Sequence, residues 1–445
     1  MRERQTRLNP KFCTIIVTPT FVISVKRCPK CRRDYTDETL NYCLDDGSTL
    51  VDGPSSGEAP TAVFAERELD KTTRASNGFP NRRMLLIAVL ALTIAGSGYL
   101  YFSRSSSVKT GPSPAVADNY MRAKVLVANE NRASIDTAIE LLRQVVKDDP
   151  KFAAGWAQLA RALNKKAFYF ASSDERASLN EDAEVAVEKS LALNPDLAEG
   201  HFARGLILWT HAKRFPHEVA IQSYKRAIAL DPSLDEAHHQ LALVYLHIGL
   251  FDKAQAEVAK TLEINPGNTL ARFRYGVIDL YRAKYEDAYQ FFKSTAPGQS
   301  TALQPFQLAT AALKLGRIDE AEKMMDDYLR ENPADEGGVA TSVKAMILAQ
   351  KGKNVEAEAA IQRAEEIGRD FGHFHHTAYN IASAYAILKK PDKAVDYLQL
   401  AADDGFPCYP LFENDEVFKD MSQHPRYVAL LAKLKQQWER YNATL

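Results

Sequence analysis

The sequence predicts an all-α fold in which pairs of helices stack into a solenoid. Asp-Pro or Asn-Pro pairs end successive helical patterns at a spacing that fits a period of about 34 residues, once loop insertions are allowed. Between these stops, a small residue and a large apolar residue recur four positions apart, which is typical of closely packed helices. With 46% hydrophobic residues and only five cysteines in 445 residues, the chain is neither disordered nor a disulfide-stapled scaffold. The prolines at the stops are Pro150, Pro195, Pro232, Pro266 and Pro333.

The N-terminal part carries a candidate metal site. The pattern Cys28-x2-Cys31-x11-Cys43-x2-Asp46 has the two-knuckle spacing that places four ligands around Zn²⁺. Residues 28–50 resemble the short bacterial zinc-ribbon module, which implies a structural zinc ion, and we place the ribbon domain at residues 25–50. Asp45 and water are alternatives to Asp46 as the fourth ligand, and a ribbon that packs without metal is the alternative to the site itself.

Residues 1–24 fit poorly with a ribbon that usually begins its protein. We therefore treat them as an N-terminal extension and expect translation to begin at Val25. Residues 51–83 contain Gly and Pro without apolar periodicity and are predicted to form a flexible linker.

An apolar segment of 19 uncharged residues follows at residues 84–102, flanked by Arg82-Arg83 on one side and by Arg104 on the other. This length predicts one transmembrane helix with the lipid bilayer as partner, and a buried helix of a soluble domain is the alternative. Five cations in residues 64–83 against three in residues 103–122 favour a cytoplasmic N-terminus. The expected localisation is single-pass in a bacterial inner membrane, with residues 103–118 as a linker and the repeats outside the cytoplasm.

Residues 235–268 form the clearest repeat unit. They resemble a tetratricopeptide repeat, and other units repeat part of its pattern, so we expect about eight units across residues 119–405. Small residues let its two helices approach closely, Gly249 permits the turn and Pro266 ends the second helix. The residues that match are Leu241, Ala242, Tyr245, Gly249, Phe251, Ala254, Val258, Leu262 and Pro266.

Residues 406–445 are predicted to close the array, because apolar residues recur at helical spacing after Pro425 and would cap its exposed end. This tail also resembles the segment that follows tetratricopeptide sensor regions in bacterial membrane-anchored serine/threonine kinases and regulators. The resemblance lies in Gly405-Phe406-Pro407, Tyr409-Pro410 and Pro425-Arg426-Tyr427.

A catalytic role is not indicated by the sequence. Asp370-Phe371-Gly372 occurs without the glycine-rich loop, strand lysine and His-Arg-Asp loop that a kinase needs. His373 and His376 stand at helical i, i+3 spacing beside His375 and could chelate a metal. Since no third ligand is evident, we expect this cluster to be a solvated surface.

The inner face of the repeats is the candidate binding site. In the resembled fold, the fifth residue of each unit's first helix faces a concave groove, and aromatic side chains there could grip a peptide or a partner helix. The alternative is that these rings complete packing between helices. The predicted groove residues are Phe202, His239, Leu243, Phe273, Val277, Phe306 and Tyr379.

These observations predict a non-enzymatic, membrane-anchored scaffold or sensor that binds proteins or peptides in the groove. The alternative is a signalling or transcription-regulatory input protein whose cytoplasmic ribbon contacts nucleic acid or a kinase. Because Lys plus Arg (56) nearly balance Asp plus Glu (57), the total charge gives no sign of a nucleic-acid partner, and we expect none.

Overall fold

The computed structural model describes residues 26–27, 34–35, 51–52, 111–128, 131–296, 299–369 and 371–445. The chain divides into two compact units, Met1–Ser113 and Pro114–Leu445.

The N-terminal unit contains a small antiparallel sheet of order β2-β1-β3. Lys26 pairs with Tyr35 on one side and with Asp52 on the other. The predicted zinc ligands Cys28, Cys31, Cys43 and Asp46 lie outside the described residues. The strands are β1 (Lys26–Arg27), β2 (Asp34–Tyr35) and β3 (Val51–Asp52).

The expectation of a single-pass membrane protein is corrected. Within the ranges that the structure describes, no helix combines the length and the apolar character needed to cross a bilayer. Residues 84–102, on which that expectation depended, lie outside those ranges.

The second unit, Pro114–Leu445, is all-α among its described residues, which confirms the predicted solenoid of helices. It begins at Pro114, five residues before the expected boundary. The α-helices are α1 (Pro114–Ala128), α2 (Arg132–Asp148), α3 (Ala153–Tyr169), α4 (Ser173–Leu193), α5 (Ala198–Leu208), α6 (His217–Leu230), α7 (Asp235–His247), α8 (Phe251–Ile264), α9 (Thr269–Tyr281), α10 (Tyr285–Ser294), α11 (Gln304–Lys314), α12 (Ile318–Glu331), α13 (Val339–Gln350), α14 (Asn354–Gly368), α15 (Phe374–Ile387), α16 (Pro391–Asp403), α17 (Tyr409–Asn414) and α18 (Pro425–Thr444). Short 3₁₀ helices occur at His211–Lys213, Glu336–Gly338 and Glu416–Met421.

Helices α1 to α16 form eight consecutive pairs, in which each odd-numbered helix packs on the next. Every second helix places one alanine, with no exposed surface, against its partner. A methyl side chain at this point lets the two backbones approach, and a large buried residue four positions later fills the space beside it. The alanines are Ala138, Ala183, Ala220, Ala254, Ala288, Ala321, Ala357 and Ala394.

Local sequence explains where individual helices begin and end. Ser172 and Glu175 form a reciprocal capping box at the start of α4. Gly249 turns the chain between α7 and α8 at a φ of +76°, a conformation that side chains rarely adopt. Pro266 follows the end of α8, as the repeat pattern predicts.

Replacing Gly276 with Ala tests the close approach of α9 and α10. An added Cβ would lie 2.6 Å from ring atoms of Phe291 and Phe292, and both rings are packed. We expect the free energy of unfolding to fall by about 1–3 kcal/mol, the usual cost of overpacking. Gly267→Ala is the control, because its Cβ would have ordinary contact only, 3.4 Å from Asn265 Oδ1. Urea unfolding that gives equal stabilities for the two variants would contradict this packing.

The inner rim and the histidine cluster

The predicted groove residues are all buried, with exposed fractions of 9% or less. Three of them pack within their own repeat: the Phe273 ring lies 5.5 Å from that of Phe292, and the Phe306 ring lies 4.6 Å from that of Tyr328. The Phe202 ring contacts that of Tyr224 in the same way, and the Arg161 guanidinium lies over the Phe202 ring at 4.8 Å from its centre. These contacts are the ones expected if the rings complete the packing between helices instead of facing a groove. Leu243, Val277 and His239 are buried as well.

Tyr379 differs from the other predicted groove residues because it contacts the C-terminal tail, residues 405–445. Its ring stacks on Phe412 at 5.4 Å and meets Phe406 and Phe418 edge-on. Its hydroxyl donates a hydrogen bond to Asp415 Oδ2. Burial, and then the Asp415 carboxylate, raise the pKa of Tyr379 well above its ordinary value. Tyr379 is therefore neutral and serves as a donor.

The tail lies along a surface that we call the inner rim, formed by the last residues of α7, α9 and α11. These residues are His247, Tyr281 and Lys314. Phe406 is fully buried, with its ring 5.4 Å from His247 and 5.6 Å from Tyr281. Three successive repeats thus present equivalent positions to one continuous segment.

Asp415 is the charged anchor of the tail. Lys314 Nζ lies 2.5 Å from Oδ1 and 2.6 Å from Oδ2 of this carboxylate, and the carboxylate itself is 1% exposed. The Val417 amide donates to Oδ1 at 3.1 Å. With the Tyr379 hydroxyl, these donors compensate the cost of burying the charge, and removal of one of them would leave a buried charge poorly paired.

Helix α18 contacts α6 and the turn between α7 and α8. Trp438 Nε1 donates to the Gly249 carbonyl at 3.0 Å, and Arg440 pairs with Glu218 at 3.2 Å. At its other end, Arg426 pairs with Asp392 and Asp396 of α16. The tail therefore contacts the last helix pair, as a cap would, and also repeats far from it in sequence.

Four histidines meet beside the inner rim, where His247 of α7 joins His373, His375 and His376 at the start of α15. One ring nitrogen from each lies within 4.8 Å of one from every other. The six distances between ring centres range from 4.6 to 6.0 Å. The expected solvated surface is wrong, since His375 is fully buried and His247 is 1% exposed. His247 was missed because 126 positions separate it from His373 and no local pattern links them.

The histidine rings are oriented by hydrogen bonds. His247 Nδ1 lies 2.8 Å from the Leu243 carbonyl, and His375 Nδ1 lies 2.8 Å from the Asp404 carbonyl. A carbonyl only accepts, so both Nδ1 atoms carry a proton, and in the neutral form of each ring the free lone pair is on Nε2. These two buried Nε2 atoms have no hydrogen-bond partner within the described part of the chain.

Burial sets the charge state of the cluster. It lowers the pKa of His247, His373 and His376 well below the ordinary value, and repulsion among the histidines lowers it further. Asp404 lies beside them: burial disfavours its charged form, but hydrogen bonds with His211 and His375 outweigh burial and lower its pKa. At neutral pH His247, His373 and His376 are therefore uncharged imidazoles next to one carboxylate.

A cleft of about 500 Å³ adjoins this cluster, between α3 and α4 on one side and α14 and α15 on the other. Its lining includes Arg176, His211, Arg369 and Asp404. The cleft mixes charged and apolar side chains.

Comparison with known proteins agrees with the helix-pair architecture. Models described as TPR repeat or tetratricopeptide repeat match residues 217–249, 235–268, 306–370 and 375–403. These matches fall on α6 to α8 and on α11 to α16. The all-α solenoid therefore contains segments, residues 217–268, 306–370 and 375–403, that are similar to tetratricopeptide repeats.

Among curated proteins, human Tetratricopeptide repeat protein 28 is 26% identical over 186 residues, which are 41% of this chain and 8% of that protein. The human Protein O-mannosyl-transferase TMTC3 is 22% identical over 220 residues, 49% of this chain and 20% of that protein. The chain thus spans only a small part of either relative, and the activity in the second name belongs to that protein.

Among solved structures, Rap protein complexed with Competence and Sporulation Factor has a TM-score of 0.55 and 15% identity. The match covers 74% of this chain and 99% of that one. At this identity the likeness shows the fold alone.

Lowering the pH is expected to destabilise the metal-free protein. Between pH 7 and 5.5 the unfolded chain takes up protons on histidines that stay neutral when folded, so the free energy of unfolding falls as pH decreases. Each of His247, His373 and His376 contributes a slope of up to about 1.4 kcal/mol per pH unit. His211, whose pKa the Asp404 hydrogen bond raises, acts in the opposite direction.

Urea unfolding in the presence of a chelator measures this slope. In His376→Gln the dependence of the free energy of unfolding on pH should be weaker by the contribution of one histidine, up to about 1.4 kcal/mol per pH unit. A stability independent of pH over this range would show that the cluster is not held neutral by burial.

Proposed function

We propose that this protein is a non-enzymatic interaction scaffold that binds an extended segment or helix of a partner protein on its inner rim. One observation carries the proposal: the inner rim already holds a segment of this kind, the chain's own tail. The fold agrees, because stacked helix pairs form long surfaces suited to extended ligands. A nucleic-acid partner is not part of the proposal.

The chemistry of the rim defines the kind of partner. Tyr281 and His247 offer rings to an aromatic side chain, as they do to Phe406. Lys314 and Tyr379 offer a cation and a hydroxyl to a carboxylate, as they do to Asp415. A suitable partner segment therefore carries an aromatic residue followed by an acidic one at a similar separation.

The predicted groove residues have different parts in this proposal. Tyr379 contacts the bound segment directly, and Leu243 orients His247 through its carbonyl. Phe202, His239, Phe273, Val277 and Phe306 hold the helices that present the rim.

We also propose a structural Zn²⁺ ion bound by Cys28, Cys31, Cys43 and Asp46. The spacing of the ligands supports it, and so does the pairing of β1 with β2, the strands that precede and follow the first two cysteines in sequence. Full-length protein should lose one equivalent of zinc when Cys28 and Cys31 are both replaced by Ser. Unchanged zinc content by mass spectrometry would contradict this site.

The rim proposal is tested by adding the tail in trans. The protein is the full chain carrying Phe406→Ala and Asp415→Ala, which should release the tail because a buried ring and a buried charge are lost. The probe is a fluorescein-labelled peptide of residues 404–421. We expect it to bind this variant at least about tenfold more tightly than the parent chain, whose tethered tail competes at high effective concentration.

Two controls define the site. Adding Lys314→Ala should weaken peptide binding by about tenfold or more, whereas Lys323→Ala, which removes an exposed cation paired with Asp327, should not. Hydrogen exchange of residues 405–421 reports whether the tail is released. A released tail without peptide binding, or equal binding of a peptide in which Asp415 is replaced by Ala, would contradict the proposal.

A further inference from the structure

We propose that His247, His373, His375 and His376 bind one divalent first-row transition-metal ion. This site is separate from the predicted zinc ribbon, and it shares His247 with the inner rim.

Ring positions support a tetrahedral site. With a metal–nitrogen distance of about 2.0–2.1 Å, each ring centre lies about 3.2 Å from the metal, and the centres are then about 5.2 Å apart. The observed centre distances of 4.6 to 6.0 Å bracket this value. Tetrahedral ligand nitrogens lie about 3.3 Å apart, so ring rotations that move them by about an ångström complete the site.

Hydrogen bonds orient two of the histidine rings for metal binding through Nε2. His247 and His375 each donate Nδ1–H to a backbone carbonyl, which is the arrangement that orients a metal-binding imidazole. Their Nε2 atoms are buried and have no hydrogen-bond partner among the described residues. A buried, unpaired acceptor is costly in a folded protein, and a metal ion would remove that cost.

The donor set defines the class of metal. Four neutral imidazoles suit Zn²⁺, Co²⁺, Ni²⁺ or Cu²⁺, whereas Mg²⁺ and Ca²⁺ require oxygen ligands. Asp404, which approaches His375 Nδ1 to 3.4 Å, is the nearby balancing charge. Arg274 is the opposing charge, since its electrostatic influence extends to His373 and His376. Tyr281 adds a neutral hydroxyl 3.5 Å from His376 Nδ1.

The ion would connect distant repeats. His247 ends α7 and the other three ligands begin α15, so one metal would fasten the middle of the solenoid to its last helix pair. Closing a long stretch of chain through metal ligands stabilises the folded state by the free energy of binding.

Cobalt binding tests the site. The protein is the full chain with Cys28, Cys31 and Cys43 replaced by Ser and without a polyhistidine tag, so that neither the predicted zinc ribbon nor a tag competes for the metal. We expect one equivalent of Co²⁺, with the intense visible absorption of tetrahedral Co²⁺ and no thiolate charge-transfer band. At a metal concentration 100-fold above the Kd, the melting temperature should rise by about 5 °C.

Variants identify the ligands. His247→Gln and His375→Gln should each lower Co²⁺ affinity by more than about 100-fold, since even outer partners of metal ligands are worth about 10–100-fold. His238→Gln is the matched control, because His238 is a buried histidine of the same helix that pairs with Glu257 instead. If the fully buried positions do not tolerate Gln, the half-buried His373 and His376 are replaced. No Co²⁺ binding by the parent, or equal affinity in ligand variants and the control, would overturn the proposal.

Discussion

The close approach of paired helices at a buried alanine is the constraint on which the solenoid depends. Each second helix presents a fully buried alanine to its partner, followed four residues later by a large buried side chain such as Tyr224 or Phe292. A larger residue at the alanine position would separate the helices and change the angle at which the next pair stacks. A helix pair cannot bury its apolar face alone, so each pair packs on the one before it. The position of every later pair therefore depends on how closely the two helices of each earlier pair approach.

The second organising interaction is the return of the tail onto the inner rim. Phe406 places a buried ring on the rim, and Asp415 places a paired carboxylate there. These are the two groups that the proposed partner segment would supply. Neither would be stable without the rim, since Asp415 depends on Lys314 and Tyr379 for its charge compensation. The histidine cluster lies where the rim and the start of α15 meet, next to Phe406, so the proposed partner site and the proposed metal site share one neighbourhood.

Sequence reasoning predicted those features that repeat locally. The proline stops, the alanine spacing and the number of helix pairs all follow from interactions within about 34 residues. The direction of Phe273 and Phe306 was harder to predict, because a ring at that position can face the groove or its own partner helix. The outcome depends on which rings stand on the second helix, here Phe292 and Tyr328.

Contacts between distant repeats could not be predicted from the period. Small rotations from one helix pair to the next add up along the solenoid, and their sum decides whether His247 meets His375. Likewise, the apolar stripe of α18 was visible in the sequence, but its contact with Gly249 depends on the path of the whole array. The repeat units can therefore be predicted from local sequence patterns. The rim and the histidine cluster depend on the geometry of the whole array and cannot be predicted in this way.

The bond from Trp438 to Gly249 also bears on how the protein unfolds. A simple repeat array unfolds from its ends, one unit after another, because each unit contacts only its neighbours. Here the last helix is bound to α6 and to the turn between α7 and α8. The repeats that lie between α8 and the tail in sequence therefore cannot separate while the tail remains docked. The last helix therefore closes the linear array into a loop. Loss of α18 is expected to destabilise the repeats around α6 to α8 rather than the repeats at the end of the array.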